Sequence, residues 1–133
     1  MKKIADAGLL IAFLDRLDSH HQWAASIFER ESPPFHTTEP ILAEVAAVLG
    51  NADDILRMVE LGDLILSLQV ASEVSALRAI LRKYKDRKMD LGDACCVRLA
   101  ETLPGSIVYT VDKRDFSIYR KSNRQPLPCI FPD

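Results

Sequence analysis

Short apolar segments alternate with longer amphipathic ones along this chain, and that alternation restricts the folds open to it. The clearest strand pattern is SIVYTVD at residues 106–112. Four further segments have strand character, at residues 2–6, 35–38, 63–68 and 126–132. Helical patterns lie between them, at residues 8–16, 20–31, 40–49, 53–61, 71–88 and 90–103. Strands separated by helices of this length form parallel crossovers, so we expect a three-layer α/β/α domain with a short, mostly parallel central sheet.

Length and composition are those of one globular domain. The chain has 133 residues, of which 48% are apolar, so we expect a single domain over residues 1–133. No apolar run approaches the roughly 20 residues of a membrane span, and the first residues lack a secretory cleavage pattern. Cys95, Cys96 and Cys129 fit neither a disulfide framework nor a zinc site. These features predict a cytoplasmic protein without membrane contact.

Acidic residues stand at the ends of two predicted strands. Asp6 ends the strand at residues 2–6, and Asp112 ends the strand at residues 106–112. In an open parallel sheet, ligands bind beyond the carboxyl ends of the strands. We therefore expect both carboxylates to face the same edge of the sheet.

A third acid, Glu44, lies among apolar residues of a predicted helix. Ile41 and Val48 are about one turn away on either side, and Val45 and Leu49 complete an apolar stripe. A carboxylate on that stripe loses water, which costs several kcal/mol unless a cation or hydrogen-bond donors compensate. At the edge of the stripe, Glu44 would instead reach solvent.

The segment KMDLGDACCVRLAE, residues 88–101, begins a helix with two acids three positions apart. Asp90 suits the N-cap, and Asp93 suits the first turn, where negative charge complements the helix dipole. If this helix starts at the edge where the strand-end acids lie, both side chains can face that edge. Capping and metal binding are therefore both open for this pair.

Convergence of several carboxylates requires cations to balance their charge. Oxygen ligands without a matching His or Cys set suit Mg²⁺ or Mn²⁺. Such ions lower the pKa of a bound water and stabilise charge on a departing oxygen. The pattern thus favours phosphodiester hydrolysis.

Four segments of the chain, taken in order, resemble those of PIN-domain ribonucleases of the VapC toxin type. They are IADAGLLIAFLDRLDSHHQWA, TTEPILAEVAAVL, KMDLGDACCVRLAE and IVYTVDKRDFSIYR. The resemblance covers nearly the whole chain. It implies a PIN-like fold, Mg²⁺ or Mn²⁺ as cofactor and RNA as substrate. It also implies a cognate antitoxin protein and a homodimer, for which the apolar helix at residues 20–31 is a candidate contact.

The resemblance carries the family's functional residues over to this chain by position. Thr110 resembles a small hydroxyl residue that holds a water or an acid, and Asp115 is an alternative to the acid at the strand end. Asp90 resembles an accessory acid near the metal, or the cap. The metal-binding and catalytic set corresponds to Asp6, Glu44, Asp93 and Asp112.

One position departs from the family pattern, and other functions remain open. Ala7 and Gly8 follow the first acid where the family has Ser or Thr, so we expect weaker activity or a contribution from Thr38. Basic segments at residues 81–88 and 112–124 border the acidic edge and offer contacts to phosphates, although a solvated helix end explains the first equally well. Alternatives are a catalytically silent PIN-fold interaction module and a small-molecule phosphohydrolase.

Overall fold

The structure is a computed structural model that describes residues 1–133. Its strands are β1 (Lys2–Ala5), β2 (Phe35–Thr37), β3 (Leu64–Leu66), β4 (Ser106–Tyr109) and β5 (Cys129–Ile130). Its α-helices are α1 (Ala7–Leu14), α2 (His21–Arg30), α3 (Glu39–Leu49), α4 (Asp53–Glu60), α5 (Val74–Lys83), α6 (Leu91–Thr102) and α7 (Lys113–Phe116). None of these helices is both long enough and apolar enough to cross a membrane.

The five strands form one sheet in the order β3-β2-β1-β4-β5, and every neighbouring pair is parallel. β1 is central, with Ile4 and Ala5 fully buried, and it pairs with β4 from Lys2 opposite Ser106 onward. The chain order reverses between β1 and β4. Right-handed crossovers therefore place α1 to α4 on one face of the sheet and α5 and α6 on the other. The predicted three-layer α/β/α architecture is confirmed.

Helix α6 explains how the layers come together at the centre. Seven of its residues are buried, and it packs against β1 and β4. Small residues of α6 allow that close approach: Gly92, Ala94, Cys95, Cys96 and Ala100. The run of small residues after Asp93 is thus a packing surface, and it fixes where the first turn of α6 lies.

The apolar face of α2 is used inside the molecule. Phe28 lies between Phe13 and Phe35, with ring centroids 4.3 Å and 4.7 Å apart. Trp23 is half-buried and packs against the same core. The core takes up part of both aromatic side chains, and the role of residues 20–31 as a contact for a second copy stays a prediction.

Two parts of the chain differ from the sequence-based expectation. The helix expected over 71–88 is divided into a 3-10 turn at Val70–Ser72, helix α5, and a second 3-10 turn at Lys85–Arg87. Lys88 then takes a left-handed backbone with φ of 56°, which ends the helical stretch. The strand predicted over 106–112 ends at Tyr109, and α7 lies at Lys113–Phe116, where the sequence predicted no element.

Candidate active site

The carboxyl edge of the sheet brings the predicted acids together at the reversal of strand order. Asp6 directly follows β1, and Asp112 lies three residues after the end of β4. Helix α6 begins at the same edge, and α3, which carries Glu44, packs against α6. A crevice of this kind, where strand order reverses, is the usual binding position in open α/β sheets.

Asp6 is buried and held by two neighbours. Its side chain is 7% exposed; Oδ2 accepts a hydrogen bond from the Thr110 hydroxyl at 2.7 Å, and Oδ1 accepts one from the Cys96 thiol at 3.6 Å. Burial raises the pKa of Asp6, although these donors and the backbone N–H of Ala7 oppose that shift. Asp6 is thus a desolvated carboxylate whose charge no cation in the protein balances.

Thr110 links the two strand-end acids. Its hydroxyl donates to Asp6 and accepts from the backbone N–H of Asp112 at 3.1 Å. From the sequence, we expected this hydroxyl to hold a water or an acid, and its contact with Asp6 is the second alternative. Thr38 makes no hydrogen bond to Asp6, so Thr110 supplies the hydroxyl that is missing at Ala7.

The acids at the start of α6 take different roles. Asp90 is the N-cap, since its Oδ1 accepts from the backbone N–H of Asp93 at 2.8 Å. The Asp93 carboxylate receives a hydrogen bond from the Tyr119 hydroxyl at 3.3 Å. Burial, together with the charges of Asp90 and Asp6, raises the pKa of Asp93 to about 7. The capping interpretation is confirmed for Asp90, whereas Asp93 points its carboxylate into the acidic cluster.

Glu44 lies at the margin of its apolar stripe. Ile41 and Val45 are fully buried, but Val48 is 61% exposed, so the predicted stripe does not extend to that turn. Glu44 is half-buried, and desolvation with the nearby charges of Asp90 and Asp6 raises its pKa to about 7. Its carboxylate is therefore electrostatically coupled to the other acids despite partial contact with solvent.

Gly92 is a site residue that the sequence analysis missed. A Cβ at this position would lie 3.1 Å from Glu44 Oε1 and 3.4 Å from Asp90 Oδ1. The absence of a side chain is what lets these two carboxylates approach the first turn of α6. The available signal was a glycine between two acids in a helix, where glycine is unfavourable.

Asp112 and Asp115 have different interaction partners. Asp112 Oδ1 caps α7 by accepting from the backbone N–H of Asp115 at 3.0 Å, and burial raises the pKa of Asp112. Asp115 instead forms an ion pair with Arg87, 2.8 Å from Nη2 to Oδ1. Of the two acids, Asp112 is the one whose charge remains without a paired cation.

The same ion pair joins the two basic segments beside the acidic edge. Arg87, Lys88 and Arg114 line an open pocket of about 250 Å³ together with two acids, and none of its lining residues is apolar. Because Asp115 contacts Asp112, this pocket adjoins the acidic cluster. The expectation that both basic segments border the acidic edge agrees with this arrangement.

The donor set is suited to a divalent cation. The three ion pairs of the structure include none of the clustered acids, which are Asp6, Glu44, Asp90, Asp93 and Asp112. No three acidic, His or Cys side chains stand at the spacing of a metal cage. Carboxylates repel one another and a shared divalent cation would offset that repulsion, so these oxygen donors suit such a cation in their chemistry and not in their present spacing.

Fold and acidic edge together define a PIN domain. Residues 3–122 match the PIN domain family model, and the chain belongs to that family. Among known proteins, it is similar to Ribonuclease VapC26 of Mycobacterium tuberculosis (strain ATCC 25618 / H37Rv). The two are 26% identical over 123 residues, which cover 88% of this chain and 91% of the relative. The resemblance inferred from the four sequence segments is thus confirmed at the level of the family.

Proposed function

We propose that this protein is a metal-dependent endoribonuclease of the VapC type, the toxin of a toxin–antitoxin pair. The observation that carries the proposal is the gathering of Asp6, Glu44, Asp93 and Asp112 at one edge of the sheet, outside every ion pair. Membership of the PIN family and likeness to a protein named as a ribonuclease support nuclease chemistry at that edge.

In this proposal, the four acids hold Mg²⁺ or Mn²⁺, with Asp90 beside them. When bound, the divalent ion lowers the pKa of the attacking water and stabilises charge on the leaving oxygen. The protein's own part is to fix the carboxylates: Thr110 ties Asp6 to the Asp112 backbone, and Asp90 caps the helix that carries Asp93. Hydrolysis breaks the bond from phosphorus to the 3′ oxygen and leaves a 5′ phosphate and a 3′ hydroxyl.

The substrate and partners follow from the same family likeness and from the charge distribution. The pocket lined by Arg87, Lys88 and Arg114 lies beside the acids and suits contact with RNA phosphates next to the cut. We further propose a single domain over residues 1–133, a cytoplasmic location, a cognate antitoxin and a homodimer. Light scattering at micromolar concentration tests the dimer.

Incubation of the purified protein with total RNA tests the activity. The reactions contain Mg²⁺, Mn²⁺ or excess EDTA, and ligation-based sequencing maps new 5′ phosphate ends. We expect defined cuts with either metal and none with EDTA. Full cleavage in EDTA would refute the metal mechanism. Intact RNA under all conditions, together with RNA binding, would instead favour the silent interaction module.

A further inference from the structure

Tyr119 is fully buried and reaches the acidic cluster from the segment that follows α7. Its hydroxyl donates to Oδ2 of Asp93 at 3.3 Å. No other side chain donates a hydrogen bond to that carboxylate. The two residues are 26 positions apart in the chain, so this contact joins α6 to the C-terminal part of the protein.

The phenol ring of Tyr119 is fixed by its neighbours. It packs edge-on against Tyr84, with centroids 5.0 Å apart, and against Phe116, with centroids 5.1 Å apart. The Tyr84 hydroxyl accepts a hydrogen bond from the backbone N–H of Arg120 at 2.7 Å, which anchors the residue next to Tyr119. A ring enclosed in this way presents its hydroxyl in one direction.

Asp93 is consequently held at two points. Its backbone N–H donates to the Asp90 cap, which fixes the first turn of α6, and its Oδ2 is engaged by Tyr119. With one carboxylate oxygen occupied, the side chain has one preferred rotation, and Oδ1 is left for another partner. Residues that orient metal-binding carboxylates contribute strongly to metal affinity in other proteins.

We propose that Tyr119 is a positioning residue that orients the Asp93 carboxylate for the divalent cation. The inference rests on the proposed function. It predicts that loss of the hydroxyl weakens metal binding in the absence of RNA, and that cleavage recovers when the metal concentration is raised to saturation.

The variant Tyr119→Phe removes only the hydroxyl, and Tyr109→Phe is its matched control. Tyr109 is also fully buried, and its hydroxyl also donates to a carboxylate at 3.3 Å, that of Glu31. Mn²⁺ binding to the free protein is measured by electron paramagnetic resonance, with thermal unfolding in EDTA recorded for both variants. We expect Tyr119→Phe to bind Mn²⁺ about tenfold more weakly and Tyr109→Phe to bind it as the wild type does.

Three other results would contradict the proposed role of Tyr119. Equal Mn²⁺ affinity in the wild type and Tyr119→Phe would overturn the positioning role alone. Equal losses of affinity in both variants, with matching losses of unfolding temperature, would also overturn it, because they indicate general loosening of the core. A wild-type protein that binds no Mn²⁺ would overturn the proposed function and this role with it.

Discussion

Asp93 is the residue at which capping and metal binding are easiest to separate. Asp90, three residues earlier, is the cap. The Asp93 carboxylate lies near other acids, and its own pKa is raised to about 7. An amide has nearly the same shape as a carboxylate but carries no charge. An Asn at position 93, which removes only the charge, therefore distinguishes a metal ligand from a helix-stabilising residue.

We expect Asp93→Asn to fold with near-native stability and to lose metal affinity and most RNA cleavage. Asn keeps much of the favourable polarity at a helix start, whereas it removes a charged oxygen ligand. Thermal unfolding, Mn²⁺ titration and RNA cleavage measure the three properties. The exposed first-turn acid of α4 provides the control Asp54→Asn, which should alter none of them. Retention of full cleavage by Asp93→Asn would exclude the ligand role.

The pKa of Asp93 also predicts how stability depends on pH. The folded pKa of about 7 exceeds the unfolded value near 3.9, so the folded protein retains a proton that the unfolded chain releases. This contribution to stability is complete below the unfolded pKa and is lost as pH rises through about 7. In EDTA, the wild type should therefore lose stability relative to Asp93→Asn between pH 4 and pH 7.

Unfolding by urea at a series of pH values, in EDTA and in Mg²⁺, measures that difference. Bound Mg²⁺ favours the ionised carboxylate and should reduce the pH dependence of the wild type. A difference between wild type and variant that is constant with pH would contradict the raised pKa.

Individual site residues were predictable from sequence only where a local pattern marked them. Asp6 and Asp112 follow apolar strands, and Thr110 lies two residues before an acid at such a strand end. Tyr119 was not predictable, because its contact with Asp93 depends on how distant segments pack. Long-range contacts of this kind leave no periodic signal along the chain.

At the level of elements, the first turn of α6 is the part of the fold most closely matched to the site. Gly92 occupies a helical position where Ala is intrinsically favoured by about 1 kcal/mol. A Cβ there would lie 3.1 Å from a Glu44 oxygen. Glycine at this position therefore lowers the helix propensity of α6 but leaves room for the Glu44 side chain of α3. The glycine is therefore explained by the space that the carboxylates need, and not by helix stability.

Gly92→Ala should weaken metal binding severalfold while changing the free energy of unfolding by about 1 kcal/mol at most. The methyl group displaces the Glu44 carboxylate, whose flexible end gives way without disturbing the core. Mn²⁺ titration and urea unfolding of the same samples measure both effects. Normal Mn²⁺ affinity in this variant would show that the Glu44 carboxylate is not needed at its present position.

Most elements were predictable because their patterns are local. Ten of the eleven predicted segments correspond to one strand or helix with shifted ends, and the other, 71–88, is divided into α5 and two 3-10 turns. Helix α7 was missed, since its short span of Lys113–Phe116 depends on a cap from Asp112. The order of the strands required the pairing of β1 with β4, which sequence alone did not supply.

The whole molecule carries a net charge of −2, yet Arg87, Lys88 and Arg114 line one pocket beside the acids. RNA binding then depends on a few local contacts. Double replacement of Lys88 and Arg114 by Ala should weaken RNA binding and reduce its salt dependence. Each lost phosphate contact lowers the slope of log K against log salt by about 0.7 for a single strand.

Fluorescence anisotropy with single-stranded RNA at several KCl concentrations, in EDTA to prevent cleavage, measures the effect. Arg87 is left in place because it holds Asp115. The exposed Arg57 of α4, in a different pocket, gives the control Arg57→Ala, which should keep the wild-type slope. An unchanged slope in the double variant would mean that RNA phosphates lie elsewhere.

The central pairing of β1 with β4 has a consequence for when this protein becomes active during its synthesis. Asp6 is synthesised 100 residues before β4 begins at Ser106, and 106 residues before Asp112. A nascent chain that lacks β4 contains three of the four acids and none of the geometry that Thr110 imposes. The proposed RNA cleavage would therefore require synthesis of the chain through β4 and Asp112.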